Sequence, residues 1–245
     1  MVVLGGCGGI GRALVQAAVD TGIRVAVWDL HASLSRHPPP AGVANHGFDA
    51  SVEAGYAQAL ELLPADWNGA VDAFVALAGF AADNAPLGDT GADTWDEVIA
   101  GNLRSTFLAN RALLPRLKAS GAGAIVNMSS GLALRTTPGY GPYSAAKAGV
   151  IALTKTLAAE AAPLVRANAV APSAVDTAFL RGGTGRVEED GRPPRLEIDA
   201  YARAVPLQRI ACADDVVGPI LFLAGPASRY MTGQVLHISA GMVTP

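Results

Sequence analysis

The chain is poor in cysteine, lysine and charge, and it contains no long uninterrupted apolar run. Only two of its 245 residues are cysteine, and Cys7 and Cys212 lie too far apart to form a C-x-x-C pair. Two isolated thiols are typical of a reducing compartment, so we expect a cytoplasmic protein without a disulfide framework. The four histidines show no ligand spacing, and we expect no metal site.

The low charge excludes further classes of protein. A formal net charge of −3 provides no basic surface for nucleic acid. The longest apolar stretches, such as residues 73–82, are about half the length that spans a bilayer, and no cleavable leader is visible, so we expect no membrane association. Hydrophobic residues make up 51% of the chain, which allows a large core, and the length fits one domain over residues 1–245.

Short β-branched segments alternate with longer helical segments. We predict strands at residues 2–4, 24–29, 43–48, 71–77, 124–128, 165–170 and 234–238. We predict helices at residues 11–20, 52–63, 94–119, 143–161 and 214–224. A capping box of Thr94 and Glu97 is expected to open the third helix, and three prolines at 38–40 predict a short or missing second crossover helix. This alternation predicts an α/β fold, a Rossmann-like doubly wound parallel sheet in a three-layer α/β/α sandwich.

The first strand-to-helix turn carries Gly5, Gly9 and Gly11. Glycines allow the backbone to approach a pyrophosphate closely, and the helix N-terminus offers unpaired N–H groups. A Walker A loop would need Gly-Lys-Ser/Thr, but Gly11 is followed by Arg12 and Ala13. The turn therefore favours dinucleotide binding over nucleoside triphosphate binding.

Asp29 ends the second predicted strand, 18 residues beyond Gly11. An acidic side chain there accepts hydrogen bonds from both hydroxyls of an adenosine ribose and repels a 2′-phosphate. Neither Gly8 nor Leu30 supplies a cation for such a phosphate. We therefore predict NAD as the cofactor, with NADP less favoured; the alternative is that Asp29 only caps a turn.

Tyr143 and Lys147 lie four residues apart near the start of an Ala-rich helix, so both side chains face the same side. We expect the ammonium to stabilise the phenolate and lower the pKa of Tyr143 towards neutrality. With 5 tyrosines and 3 lysines in the chain, this spacing would arise by chance roughly 0.06 times. Ser130 ends the fifth predicted strand, and the carboxyl ends of strands form the ligand crevice in this architecture.

These motifs resemble those of the short-chain dehydrogenase/reductase family over essentially the whole chain. They are Gly5-x-x-x-Gly9-x-Gly11, Ser130, Tyr143-x-x-x-Lys147 and the segment Arg-Ala-Asn-Ala-Val-Ala-Pro at 166–172. The enoyl reductase branch spaces its tyrosine and lysine more widely and fits less well. The resemblance implies an NAD-dependent interconversion of a secondary alcohol and a ketone. In it, Tyr143 is the general acid/base, Ser130 orients the substrate oxygen, and Lys147 tunes Tyr143 and binds the nicotinamide ribose.

The resemblance implies further contacts. Asn102 matches an asparagine that anchors a proton-relay water, although it is equally typical of a helix-interior amide bonded to nearby backbone. Asp49 matches a position that contacts adenine, although a plain helix cap is a comparable interpretation. Cofactor contacts are also implied for Ile10, Ala78, Gly79, Pro172, Val175 and Thr177. A homotetramer or homodimer is implied, with the helices at 94–119 and 143–161 pairing between subunits.

The substrate end of the crevice is less clearly encoded. Apolar side chains flank it, which favours an alicyclic, aromatic or aliphatic alcohol or ketone over a sugar phosphate, unless they are only packing residues. These are Phe80, Leu132, Leu134, Tyr140 and Phe179. The irregular segment 172–206 is interpreted as a substrate-covering lid, the alternative being a surface excursion. Arg135, Arg181 and Arg186 either meet a substrate carboxylate or are solvated loop charges.

Four positions depart from the family pattern. Leu4 replaces a threonine, residues 76–79 read Ala-Leu-Ala-Gly instead of Asn-Asn-Ala-Gly, Ser173 stands where Pro-Gly is usual, and Ala240 where Gly-Gly is usual. Replacing both members of an interacting polar pair by apolar residues is nearly neutral for stability. Leu4 and residues 76–79 would be such a replaced pair, so we expect them to lie side by side. The alternative functions are a dihydrodiol or hydroxyacyl dehydrogenase (3-oxoacyl reductase) on the same scaffold, and a non-catalytic NAD-sensing protein.

Overall fold

The computed structural model describes residues 1–182 and 193–244, and its described part contains one seven-stranded parallel sheet. The strand order is β3-β2-β1-β4-β5-β6-β7. The strands are β1 (Val2–Leu4), β2 (Ala26–Asp29), β3 (Ala44–Gly47), β4 (Ala73–Ala76), β5 (Gly123–Met128), β6 (Val165–Pro172) and β7 (Val235–Ile238). The helices are α1 (Gly9–Asp20), α2 (His31–Arg36), α3 (Gly55–Glu61), α4 (Ala92–Ile99), α5 (Ser105–Ala119), α6 (Gly141–Ala161), α7 (Ile198–Ala204) and α8 (Asp214–Ala224).

The helices cover both faces of the sheet, which confirms the three-layer prediction. Because side chains alternate along a strand, Val2 and Leu4 of β1 face one layer and Val3 faces the other. The first layer packs side chains of α3, α5 and α6 against the sheet, and the second packs α1 and α8. Strands β4 and β5 are buried throughout, as expected for central parallel strands.

The strand order reverses at β1, which lies between β2 and β4. In a doubly wound sheet, the loops that leave the carboxyl edge on the two sides of this point diverge and open a crevice. The turn after β1 and the loops after β4 and β5 therefore meet at the same edge, which places the glycine turn and Ser130 on one crevice.

The predicted capping box is wrong. Helix α4 begins at Ala92 with Gly91 as the N-cap, and Thr94 lies inside the first turn. The predicted single helix is also interrupted, because a π-helical turn at Ala100–Arg104 joins α4 to α5. Within and beside this turn, Asn102 Nδ2 donates to the Val98 carbonyl and Ser105 Oγ to the Gly101 carbonyl.

The short second crossover is confirmed, because α2 has six residues and ends before the proline run. The predicted lid segment is partly ordered into a 3₁₀ turn at Ala178–Arg181 and helix α7. Residues 183–192 of this segment, including Arg186, lie outside the described residues. Within the described ranges, no helix combines the length and apolar character needed to cross a membrane.

Candidate active site

The glycine turn between β1 and α1 is built from close backbone contacts. Gly5 has φ +84°, and a Cβ on it would lie 2.7 Å from the Ala78 nitrogen. A Cβ on Gly11 would lie 2.2 Å from the Gly5 carbonyl oxygen, so no larger residue fits there. Gly8 caps α1 without a side chain, which keeps the first N–H groups of the helix accessible to an anion.

Asp29 is tied to this turn. Its carboxylate accepts hydrogen bonds from the backbone N–H of Cys7 at 2.8 Å and from that of Leu30 at 2.8 Å. Burial, reinforced by Asp29, raises the pKa of the Cys7 thiol to about 12, so the thiol stays protonated. Asp29 thus acts as a turn cap and also lines the crevice.

Two basic side chains near Asp29 were missed by sequence reasoning. Arg36 and His37, at the end of α2, line the same end of the crevice. Gly8 and Leu30 supply no cation, as expected, whereas Arg36 of α2 lines the cavity. Asp49 accepts hydrogen bonds from the backbone and the hydroxyl of Ser51 and lines the crevice as well. The helix-cap interpretation of Asp49 is wrong, because α3 begins at Gly55 with Ala54 as its N-cap and without a side-chain cap.

Leu4 lies beside the segment after β4, as expected from the joint loss of two polar partners. Leu4 is in register with Ala76, and its carbonyl accepts the N–H of Leu77 at 2.8 Å. Leu4 and Ala76 share one apolar cluster. At the other departures, Ser173 N–H donates to the Ile238 carbonyl, and Ala240 has φ +53°, a backbone conformation that favours the glycine usual there.

Ser130 and Tyr143 meet at the carboxyl end of β5. Ser130 follows the strand in an extended conformation, and its Oγ accepts the N–H of Leu132 at 3.2 Å. Tyr143, in the first turn of α6, has its phenol close enough to Ser130 for the serine to favour the phenolate, and its ring lies 5.7 Å from the Phe179 ring, centroid to centroid. The two hydroxyls therefore share one contact point in the crevice.

The expected lowering of the Tyr143 pKa is wrong for this arrangement. Burial raises the pKa of Tyr143 to about 12, and the Ser130 hydrogen bond opposes this only in part. The Lys147 ammonium does not offset this effect of burial. Its Nζ lies 5.5 Å from the centre of the Tyr143 ring and donates to the Met128 carbonyl at 3.0 Å.

Lys147 is almost completely buried, with 2% of its surface exposed. Burial lowers the pKa of its ammonium to about 8. A lysine that titrates close to physiological pH changes charge readily when a neighbouring group does, which suits a residue that assists proton transfer.

Asn102 lies behind Lys147, in the π-helical turn. Its Nδ2 donates to the carbonyls of Phe80 and Val98, both at 2.8 Å, while its buried Oδ1 has no hydrogen-bond partner among the described residues. A Cβ on Gly79 would lie 2.3 Å from this Oδ1 and 3.1 Å from Lys147 Nζ. Gly79 therefore leaves room for both groups.

One cavity of about 660 Å³ joins the glycine turn to Tyr143. Most residues predicted to contact cofactor or substrate line this cavity: Gly5, Gly9, Ile10, Gly11, Asp29, Asp49, Ala78, Gly79, Phe80, Ser130, Leu132, Tyr140, Tyr143, Lys147, Pro172, Val175, Thr177 and Phe179. Asn102 does not line it. Leu134, suggested as a flanking residue, does not line it and is half exposed. Of the arginines, Arg135 lines the cavity, whereas Arg181 pairs with Asp176 at 2.9 Å.

The described part of the lid segment contributes residues that sequence reasoning did not single out. Arg195 lines the cavity, and its Nη1 donates to the carbonyls of Ala81 and Ala82, both at 3.0 Å. Its Nη2 contacts Asp83 at 2.8 Å. These bonds fasten the segment that precedes α7 to the loop after β4. Other lining residues without a sequence signal include Asn84, Tyr201, Met242 and Val243.

Comparisons with known proteins agree with this geometry. A family model described as "Enoyl-(Acyl carrier protein) reductase" matches residues 5–243. The chain is 36% identical to a probable galactose dehydrogenase of Rhizobium meliloti (strain 1021), over 99% of this chain and 94% of that protein. The chain belongs to the short-chain dehydrogenase/reductase family, whose members are Rossmann-fold, nucleotide-binding oxidoreductases.

Two solved structures illustrate the likeness. The ligand-free aldohexose dehydrogenase of Thermoplasma acidophilum has a TM-score of 0.84 and 27% identity, covering 100% of this chain and 96% of that one. The 3-ketoacyl-(acyl-carrier-protein) reductase of Brucella melitensis in complex with NADH has a TM-score of 0.85 and 26% identity, covering 98% and 96%.

Proposed function

We propose that this protein is an NAD(H)-dependent oxidoreductase that interconverts a secondary alcohol and a ketone, with Tyr143 as the general acid/base. The observation that carries the proposal is the meeting of Ser130, Tyr143 and Lys147 at one end of a cavity whose other end is the glycine turn. In this proposal Ser130 orients the substrate oxygen while Tyr143 exchanges its proton.

The residues of the cavity fit a dinucleotide. A Cβ on Gly9 would lie 2.7 Å from Thr177 Cγ2, so the backbone stays open to a phosphate only with glycine at this position and at Gly11. The glycine turn would hold the pyrophosphate, Asp29 the adenosine ribose, and Asp49 the adenine. Val175 and Thr177 would meet the nicotinamide end. When bound, the dinucleotide supplies the hydride acceptor or donor.

Preference for NAD over NADP is supported by Asp29, whose carboxylate repels a 2′-phosphate. Arg36 and His37 line the same end and weaken that repulsion. The comparison of kcat/KM for the two cofactors tests the assignment, and a preference for NADP would contradict it.

The residues that would transfer the proton to and from the substrate belong to this chain. During oxidation, the Tyr143 phenolate accepts the alcohol proton, and during reduction the phenol donates it. Ser130 favours the phenolate and partly opposes the burial that raises the pKa of Tyr143, and Lys147 Nζ lies 5.5 Å from the centre of the ring. The buried Oδ1 of Asn102 supports its proposed role of holding a relay water, because a buried acceptor without a protein partner is usually satisfied by water.

The relatives named above act on CH–OH groups of different substrates, so they support the reaction class and leave the substrate open. The description of the matching family model refers to enoyl reduction. We retain alcohol oxidation and ketone reduction because Tyr143 and Lys147 lie four residues apart on one helix. A 3-oxoacyl reductase would use the same side chains, whereas the intact set of Ser130, Tyr143 and Lys147 argues against a purely NAD-sensing protein.

Replacement of the proposed general acid/base tests the reaction. Tyr143→Phe removes the phenolic oxygen with little change in shape, and we expect turnover to fall about 10³-fold. The Kd for NADH, measured by fluorescence titration, should stay within a few-fold because the glycine turn is untouched. Turnover close to that of the wild type, on any substrate from a panel of secondary alcohols, would overturn the assignment.

We also propose a cytoplasmic homotetramer or homodimer. The exposed side chains of Trp95 and Phe107, on α4 and α5, support pairing through these helices and α6. A monomeric mass in light scattering would contradict the proposed assembly.

A further inference from the structure

The charges that line the cavity are distributed unevenly between its two ends. Among the described residues, the acidic side chains that line it are Asp29, which ends β2, and Asp49, which follows β3, and Arg36 of α2 lines the cavity beside this pair of carboxylates as its one arginine outside the catalytic end. The catalytic end, under β5, α6 and the segment before α7, is lined by the cations Arg135, Lys147 and Arg195. Because β2 and β5 are three strands apart, these ends are separated by about 14 Å.

The three cations of the catalytic end differ in what they contact. Lys147 is buried and bonded to the Met128 carbonyl, and Arg195 is occupied by two carbonyls and Asp83. The exposed guanidinium of Arg135 has no hydrogen-bond or ion-pair partner among the described residues. It is therefore the cation of this end that can bind a ligand without breaking an existing bond.

The backbone brings Arg135 to the cavity on the short turn that follows Ser130. It follows Ser130 by five residues, and its N–H donates to the Gly131 carbonyl at 3.0 Å, which holds the short turn after β5. Apolar side chains line the same cavity, with Phe80, Leu132 and Phe179 packed in one cluster. A cation at the rim of an apolar cavity attracts anions and fixes their orientation.

We propose that the substrate is a secondary alcohol or ketone that carries an oxyanion, and that Arg135 binds this group and determines specificity. The inference rests on the proposed function and deepens it. A guanidinium presents two parallel N–H groups that match the oxygens of a carboxylate or of a phosphate ester. This interaction positions the carbinol or carbonyl carbon from a distance, without entering the proton step.

The experiment compares neutral and anionic forms of the same alcohol. Aliphatic and alicyclic secondary alcohols are each supplied with NAD as the carboxylate, as a phosphate monoester and as the methyl ester. The wild type should prefer one anionic form by about tenfold in kcat/KM, mainly through KM, because remote binding is felt in the ground state and the transition state alike. Increasing salt should reduce this preference. The favoured form identifies the anion.

Variants assign the preference to its residue. Arg135→Ala and Arg135→Gln should raise KM for the anionic substrate about tenfold and leave the ester parameters unchanged, while Arg135→Lys should keep part of the preference. Lys118→Ala removes the same charge at the far end of α5, at the opposite edge of the sheet, and should change neither.

The outcomes separate this inference from the proposed function. The proposed anion site is overturned if an active wild type has equal kcat/KM for esters and anions. It is also overturned if the Arg135 variants lose kcat/KM equally on both. Either result leaves the reaction class intact. Absence of turnover on the whole panel, with Tyr143→Phe behaving like the wild type, overturns the proposed function and this inference with it.

Discussion

One end of the cavity is formed by backbone and the other by side chains. The glycine-turn end is made of backbone, where Gly5, Gly9 and Gly11 stand at positions that a Cβ would fill. The catalytic end is made of buried side chains, where Tyr143 and Lys147 are both less than a tenth exposed. The first end is therefore sensitive to the size of a residue, and the second to its charge and protonation state.

The two ends of the cavity also differ in their effect on the stability of the fold. Close backbone contacts at the glycine turn are ordinary packing and carry no charge. A buried ammonium at the catalytic end opposes folding, because burial disfavours the charged form and lowers the pKa of Lys147 to about 8. Three predictions, in order of decreasing effect, test whether the comparison holds.

The largest effect is expected at the backbone end. Gly11→Ala places a Cβ 2.2 Å from the Gly5 carbonyl oxygen, and the backbone must shift, so we expect the free energy of unfolding to fall by about 3 kcal/mol. Gly8→Ala is the matched control, since its Cβ would lie 3.5 Å from the same oxygen, an ordinary contact. Denaturant unfolding of both variants measures the contrast. Equal stabilities would show that the turn tolerates size.

A smaller, pH-dependent effect is expected at the side-chain end. Lys147 has a pKa of about 8 when folded and about 10.5 when unfolded, so between these values the unfolded state binds more protons. The contribution of Lys147 to the free energy of unfolding of the wild type therefore rises as the pH increases from about 8 to about 10.5. Below pH 8 the buried ammonium destabilises the fold to its full extent. Lys147→Met should be more stable relative to the wild type at pH 7 than at pH 10, by about 2 kcal/mol.

Denaturant unfolding at the two pH values checks this difference. Lys155→Met, on the same helix but exposed, is the control and should show no comparable change. Tyr143 is present in all three proteins, so its own titration cancels in the comparison. A pH-independent difference between Lys147→Met and the wild type would contradict a lowered pKa.

The smallest effect concerns the contacts of Arg195, which connect the lid segment to the loop after β4. Its side chain is 17% exposed, whereas that of Asp83 is 84% exposed. We expect Asp83→Asn to cost about 0.5 kcal/mol, as for a solvated ion pair, and Arg195→Ala to cost about 1.5 kcal/mol because the bonds to two carbonyls are lost as well. A double-mutant cycle in thermal unfolding measures both, and equal single costs would show that the ion pair alone matters.

Much of the site could be predicted from local sequence because its parts have fixed offsets. The spacing of Gly5, Gly9 and Gly11, the four-residue step from Tyr143 to Lys147 and the strand-end position of Asp29 are all properties of single turns or elements. The capping box failed because Gly91 offered an earlier cap, and two plausible N-termini within three residues cannot be ranked locally.

Residues that reach the cavity from distant segments were not predicted. Arg36 lines the cavity from the end of the six-residue α2, and Arg195 reaches the loop after β4 across more than a hundred residues of chain. The direction of the Tyr143 pKa was also wrong. Spacing showed a cation on the same helix face, but burial and the bond from Lys147 to Met128 decide which effect wins.

The amino-acid sequence by itself determined the layered parallel sheet, the glycine turn, and which side chains we propose for proton transfer and ribose binding. These follow from periodicity and short spacings, which are fixed by the geometry of one turn or one strand. Only the tertiary structure decided the burial of Tyr143 and Lys147, the approach of Asn102 to Gly79, and the position of Arg135 among the cations of the catalytic end. Burial and long-range contact depend on which elements the whole chain packs together, and no local pattern contains that information.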